Sequence, residues 1–338
     1  MPALAPTGNE TSTLVNRQLV KAWLYWSLAW LTIFPIVGLL VSIKFNEPEF
    51  LSGIPWLTFG RMRPVHVNGV IFGAFSTPLL GLLYYLVPRL CGRPMAGERL
   101  GWLALAGWNI FLITGSISFL AGYNLGYEAD EYTWPFSLIR FFVLGLVAAQ
   151  VVVTLVRRRE PGFYVALWYL LASLTWTVFN LVLGGVILPY VPMSGISNVM
   201  WHGLFIHYVV GLWITPAGLV VMYYFMPLAA KEPLFSHRLS LLGFWSLALF
   251  YPFVGLHHYI FSPIPYAHQT MSIMTSMMLI VPVWAVCTNL FGTAKGRWGR
   301  ILGGNTADDY SAKFILLSTF YYLAGCFQGS TEALRRMQ

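Results

Sequence analysis

The stretch MWHGLFIHYVVGLWITPAGLVVMYYFMP at residues 200–227 holds no aspartate, glutamate, lysine or arginine. A helix crosses the hydrocarbon core of a bilayer with about 20 apolar residues, whereas a barrel strand needs only about ten in alternation. This run is too long and too evenly apolar for a strand, so it reads as a spanning helix. Working outward in both directions, comparable runs predict spans at roughly 19–43, 66–88, 99–122, 135–156, 163–189, 239–260, 267–290 and 312–330. The expected fold is an all-α, polytopic integral membrane helical bundle of about nine transmembrane helices.

Composition points the same way. Of 338 residues, 57% are hydrophobic and 9% charged, and the mean hydropathy is +0.67, where a soluble chain carries about a quarter charged residues. The net charge of +8 would suggest nucleic acid in a soluble protein. Here the basic residues fall in the short connections: Arg89, Arg93 and Arg99, then Arg157, Arg158 and Arg159, then Lys231 and Arg238, then Lys295, Arg297 and Arg300. Acidic Glu128, Asp130 and Glu131 follow the third span. This alternation reads as a topology signal that puts the basic connections and an N-terminal segment, 1–18, in the cytoplasm. A nucleic-acid partner is not expected. Cys91, Cys287 and Cys326 are too few and too scattered for a metal-thiolate motif or a disulfide framework. No repeat or low-complexity linker divides residues 19–338, which read as one transmembrane domain.

Ionisable residues inside spans mark functional sites, because burying them is costly without a partner. Here they are histidines. His207 lies in the sixth run, and His257 and His258 lie in YPFVGLHHYIF of the seventh. A neutral imidazole enters an apolar region without bringing charge and is a ligand for copper, zinc or iron. Adjacent residues on a helix point about 100° apart, so the His257–His258 pair requires a local change in the helix to face one ligand. Pro252 and Gly255 make that change reasonable. His66 opens the second run in RMRPVHVNGVIFG, positioned to ligate heme iron, with Arg61 and Arg63 available to pair with heme propionates. Tyr251 precedes His257 by nearly two turns, on roughly the same side, where a phenol can supply a proton and an electron. Thr215, Tyr223 and Ser240 are candidates for a hydrogen-bonded proton path.

The segments RMRPVHVNGVIF, RREPGFYVALWY, HYVVGLWITPAGLVVMYYFMP, HRLSLLGFWSLALFY and GLHHYIF followed by HQTMS resemble the catalytic subunit of heme-copper oxygen reductases. The likeness is strongest to the C-type branch, which is itself similar to nitric oxide reductases. The resemblance implies that His207, His257 and His258 ligate the copper called CuB. It also implies that Tyr251 is the tyrosine beside that copper, linked covalently to His207, and that His66 is an axial ligand of the low-spin, b-type heme. Glu131, in DEYTWP, would be the acid near a calcium ion and the propionates. Nitric oxide reductases carry a glutamate one turn after the helix-six ligand and lack the tyrosine; here that position is Gly211, which favours oxygen reduction.

The resemblance thus implies a terminal respiratory oxidase subunit in a prokaryotic inner membrane. It would take electrons from c-type cytochrome subunits or a soluble cytochrome c, work with other oxidase subunits, reduce O2 to water and translocate protons. The alternatives are a nitric oxide reductase-like subunit and a truncated, non-catalytic membrane subunit. Two departures stand out. Gln328 occupies the place of a family glutamate. The family has about twelve spans and two further histidines, whereas no histidine follows His268 here. This implies a C-terminally truncated chain, or one completed by a separate fragment, with no family-equivalent proximal ligand for the high-spin heme.

Overall fold

The computed structural model describes residues 14–335, so residues 1–13 of the expected N-terminal segment lie outside the described residues. Among the described residues eight helices are long and apolar enough to cross a membrane. They are α1 (Arg17–Ile43), α2 (Phe59–Cys91), α3 (Leu100–Ala121), α4 (Trp134–Val156), α5 (Val165–Tyr190), α6 (Gly195–Ala230), α7 (His237–Tyr259) and α8 (Tyr266–Thr293). The ninth expected span falls in α9 (Ala307–Glu332). Its hydroxyl and amide residues, Ser318, Thr319, Tyr321, Tyr322 and Gln328 among them, keep it less apolar than the other eight. No strand occurs among the described residues, and the protein is an all-α polytopic membrane bundle.

The chain forms two compact units. One runs up to Gly162 and includes Val178–Val191; the other comprises Phe163–Thr177 and the residues from Pro192 onward. In the first, α1 is capped by Asn16, whose side chain accepts from the Leu19 amide at 3.0 Å, and it turns Trp23, Trp30 and Phe34 inward. Trp23 stacks on Tyr84 of α2 with ring centroids 6.0 Å apart, and Trp30 Nε1 donates to Asn109 Oδ1 of α3 at 2.9 Å. Lipid tails are as apolar as the packed side chains, so such interlocking and interhelical hydrogen bonds, more than a hydrophobic drive, hold the helices together. The same unit contains a fully buried ion pair, Asp130 and Arg140 at 2.7 Å. The Arg140 guanidinium lies over the faces of Phe72 and Tyr132, 5.0 and 5.5 Å from the ring centres, where the ring quadrupoles stabilise the cation.

In the second unit α9 begins with a reciprocal cap. Thr306 Oγ1 accepts from the Asp309 amide at 3.3 Å while the Asp309 carboxylate accepts from the Thr306 amide at 3.1 Å. Arg300 donates to Asp309 at 3.0 Å and to the carbonyls of Ala229 and Ala230 at 3.0 and 2.9 Å, tying the start of α9 to the end of α6.

The helices depart from α geometry at several places among the described residues. A π-helical segment spans Gly69–Ser76 in α2, another Leu183–Ile187 in α5, and a third Val209–Ile214 in α6. In α7 the chain tightens into 3-10 turns at Tyr251–Phe253 and Gly255–Tyr259. Pro252 contributes to this last change because it has no N–H for the regular ladder. Such interruptions recur at functional sites. Two of the π segments begin just after His66 and His207, and the 3-10 turns contain Tyr251, His257 and His258.

Candidate metal centre

The centre is assembled from α6 and α7 within the second unit. His207, His257 and His258 each bring a ring nitrogen to within 4.8 Å of the others. The required distortion of α7 is present: the 3-10 turns redirect two neighbouring residues so that His257 Nε2 and His258 Nε2 lie 3.2 Å apart. Two imidazole nitrogens this close need a proton or a cation between them. Metal–nitrogen bonds of about 2.0 Å place two ligands of one ion at about this spacing.

Hydrogen bonds assign the donor atoms. Ser276 donates its only hydroxyl proton to the Ser272 carbonyl at 2.6 Å, so its oxygen accepts from His257 Nδ1–H at 2.9 Å. That tautomer leaves His257 Nε2 with a free lone pair, the arrangement in which an outer partner orients a metal-ligating imidazole. His207 Nε2 is buried and has no hydrogen-bond partner. A buried polar atom without a partner is costly in an apolar interior, and a metal ion among the three nitrogens satisfies it. The donor set therefore fits a transition-metal ion such as copper, zinc or iron.

Tyr251 is held against this group. Its ring stacks on His207 with centroids 4.6 Å apart and planes at 18°, and its hydroxyl points to the His207 carbonyl at 3.4 Å. The ring occupies the space beside Gly211, where any Cβ would fall inside it.

The residues expected from the sequence to serve a low-spin heme, His66, Arg61 and Arg63, lie in the first unit. His66 Nδ1 is 2.9 Å from the Phe34 carbonyl, which can only accept, so Nδ1 carries the proton and Nε2 is left as a ligand atom. The ring rests on Gly38, which has no side chain to displace it. Arg61 donates to the Leu120 carbonyl at 3.0 Å, and Arg63 pairs with Glu128 at 2.5 Å. Both arginines thus have protein partners. Glu131 is nearly inaccessible: its carboxylate accepts from Asn68 Nδ2 at 2.5 Å and lies 4.0 Å from Arg63. Burial pushes this carboxyl up to about 7, against the opposing pull of Asn68 and Arg63. Of the proton-path candidates, Tyr223 stacks on Tyr169 at 5.6 Å and Ser240 donates to the His237 carbonyl at 2.7 Å. Thr215 begins the α-helical turns beyond the π segment of α6.

Sequence reasoning missed Phe34, Ser276 and Asn68, the partners that orient His66, His257 and Glu131. For Ser276 a signal existed, because Ser272 and Ser276 fall four apart on one helical face of an apolar run. For Phe34 there was none, since its contribution is a backbone carbonyl. Gln328 is exposed and bonds Glu332 at 2.7 Å.

Fold and site together define a polytopic α-helical membrane protein with a cluster of histidines set between its helices. The chain matches the family described as Cytochrome C and Quinol oxidase polypeptide I over residues 18–338, and it belongs to that family. It is 29% identical over 342 residues to a cytochrome c oxidase subunit 1 homolog (bacteroid) of Bradyrhizobium diazoefficiens, covering 98% of this chain and 61% of that protein. It is 27% identical over 334 residues to the cbb3-type cytochrome c oxidase subunit CcoN1 of Stutzerimonas stutzeri, covering 96% and 69%. It is also 27% identical over 342 residues to cytochrome c oxidase subunit 1 of Rhodobacter capsulatus, covering 98% and 62%. The chain spans about three fifths of the length of most of these relatives. The bacterial relatives and the long apolar helices identify a multi-pass protein of a prokaryotic inner membrane.

Proposed function

We propose that this chain carries the copper site of an oxygen-reducing terminal oxidase, together with one axial ligand of its low-spin heme. The observation that carries the reading is the convergence of His207, His257 and His258 beside Tyr251, whose ring stacks on His207. In this reading the three imidazoles hold copper through neutral nitrogens, and Ser276 fixes the His257 tautomer. His66, oriented by the Phe34 carbonyl, holds the low-spin heme iron through Nε2. The metals would supply the redox chemistry.

Tyr251 stands where its phenol can release a proton toward the histidine cluster, and the buried flank of α6 restricts water around it. Thr215, Tyr223 and Ser240 are proposed to lie on the route that resupplies that proton. Calcium at Glu131 would have to displace the Asn68 and Arg63 contacts and is left out of the reading. Electrons would come from a c-type cytochrome partner within a larger assembly.

Nitric oxide reduction, the alternative, calls for a glutamate at the position of Gly211. Tyr251 already fills that space, so the two arrangements exclude one another. The test is a reduced-minus-oxidised optical spectrum of the purified assembly, with and without carbon monoxide, combined with copper analysis. Low-spin heme bands, a CO-sensitive band and about one copper per heme pair are expected. An assembly with heme but no copper, or one that leaves oxygen unconsumed with a cytochrome donor, would refute the proposal.

A further inference from the structure

Helices α8 and α9 leave a groove between them of about 750 Å³. Trp284 and Phe291 of α8 line one wall, and Phe320 and Phe327 of α9 line the other. At one end stand Trp298, stacked over Phe291 at 6.2 Å, and Lys295, the only charged residue in the lining. The neighbouring cations are already paired, Arg297 with Glu232 and Arg300 with Asp309. Lys295 is exposed, and it leaves one uncompensated positive charge at the mouth of an apolar groove.

Depth and charge decide what fits. From Trp284 to the end of α8 at Thr293 the helix rises about 14 Å at about 1.5 Å per residue. That is close to half the thickness of a bilayer's hydrocarbon core, the depth of one leaflet. Over this depth the lining is mainly aromatic and aliphatic, with the Lys295 charge at the mouth, an order that matches an acyl chain below an anionic headgroup. A tryptophan at the rim suits the headgroup level, where one edge of the ring is wet and the other apolar.

We infer that this groove is a site for an anionic phospholipid, with an acyl chain between α8 and α9 and its phosphate against the Lys295 ammonium and the Trp298 indole N–H. Charge selects the headgroup and the groove accepts the chain, so the two contributions are separable.

Native mass spectrometry of the detergent-purified assembly, titrated with phosphatidylglycerol or phosphatidylcholine of identical chains, reads both. The wild type is expected to retain phosphatidylglycerol about fivefold better, the factor one lysine supplies near an anionic surface. Lys295→Glu should abolish that preference while leaving phosphatidylcholine binding unchanged. Ala324→Trp, which fills the groove from α9, should remove the bound lipid of either kind. Equal retention of the two lipids by the wild type, or an unaltered preference in Lys295→Glu, overturns the inference. So does a photo-crosslinker at residue 324 that captures another protein subunit in place of lipid. Lys295→Glu changes an exposed residue, so the test does not depend on whether the bulkier variant folds.

Discussion

The ring of Tyr251 occupies the space that a side chain on residue 211 would need. The π-helical segment Val209–Ile214 sets Gly211 one turn beyond His207, and the 3-10 turn at Tyr251–Phe253 sets the phenol against it. Tyr251 cannot keep its place if residue 211 gains a side chain.

Gly211→Ala should therefore displace Tyr251 from its stack on His207 while leaving the fold and the histidine cluster in place. The expected result is normal copper content with oxygen turnover lowered at least about tenfold, the scale of losing a positioned proton donor. Gly211→Glu should be more severe. Near wild-type turnover in Gly211→Ala would show that Tyr251 has no part in the chemistry.

Ser276 tests the second relationship. Its oxygen accepts from His257 Nδ1–H at 2.9 Å and thereby keeps Nε2 free. Ser276→Ala removes the acceptor, lets the ring turn or change tautomer, and should weaken copper retention by about 10- to 100-fold, the usual effect of losing such an outer partner. Copper competition with a chelator of known affinity measures this. Ser276→Thr, which keeps the hydroxyl, should restore retention.

Much of this centre was legible in the sequence, and the rest was hidden for identifiable reasons. The apolar runs mark the spans because lipid demands unbroken helices, and the ninth differs only in the polarity of residues such as Tyr322 and Gln328. The His257–His258 pair implies a distorted helix, and Pro252 points to where. The form of the distortion, 3-10 turns in α7 paired with a π segment in α6, does not come from residue types, since it depends on how the two helices meet. Arg61 and Arg63 read as partners for propionates, but the groups they meet, the Leu120 carbonyl and Glu128, come from residues about 60 positions away. Asp130 and Arg140 do not read as a pair, because ten residues and a turn into α4 separate them.

That buried pair is the third test. Asp130→Asn leaves Arg140 charged among aromatic rings with its counter-charge removed. Breaking a buried pair from one side costs about 3–5 kcal/mol. Thermal melting in detergent should show a large loss for Asp130→Asn, and the double variant Asp130→Asn with Arg140→Met should recover most of it. Equal losses in both would mean that the carboxylate and not the pairing matters.

The cap of α9 yields a pH-dependent prediction. The Asp309 carboxyl is held below its ordinary value, first by its hydrogen bonds from the Thr306 hydroxyl and amide and further by Arg300 and Lys313. A carboxyl whose value is lower in the folded state stabilises fully above its unfolded value, near pH 3.8, and loses that contribution as pH falls through the folded value. Asp309→Asn should therefore melt below the wild type at neutral pH, with the difference shrinking as the pH drops below about 4. Thr306→Ala removes the reciprocal half of the cap and should cost about 1 kcal/mol. It should also raise the Asp309 value toward normal, moving the wild-type acid transition to higher pH. A Thr306→Ala transition at unchanged pH would mean that Arg300 and Lys313, with no help from the cap, hold Asp309 ionised.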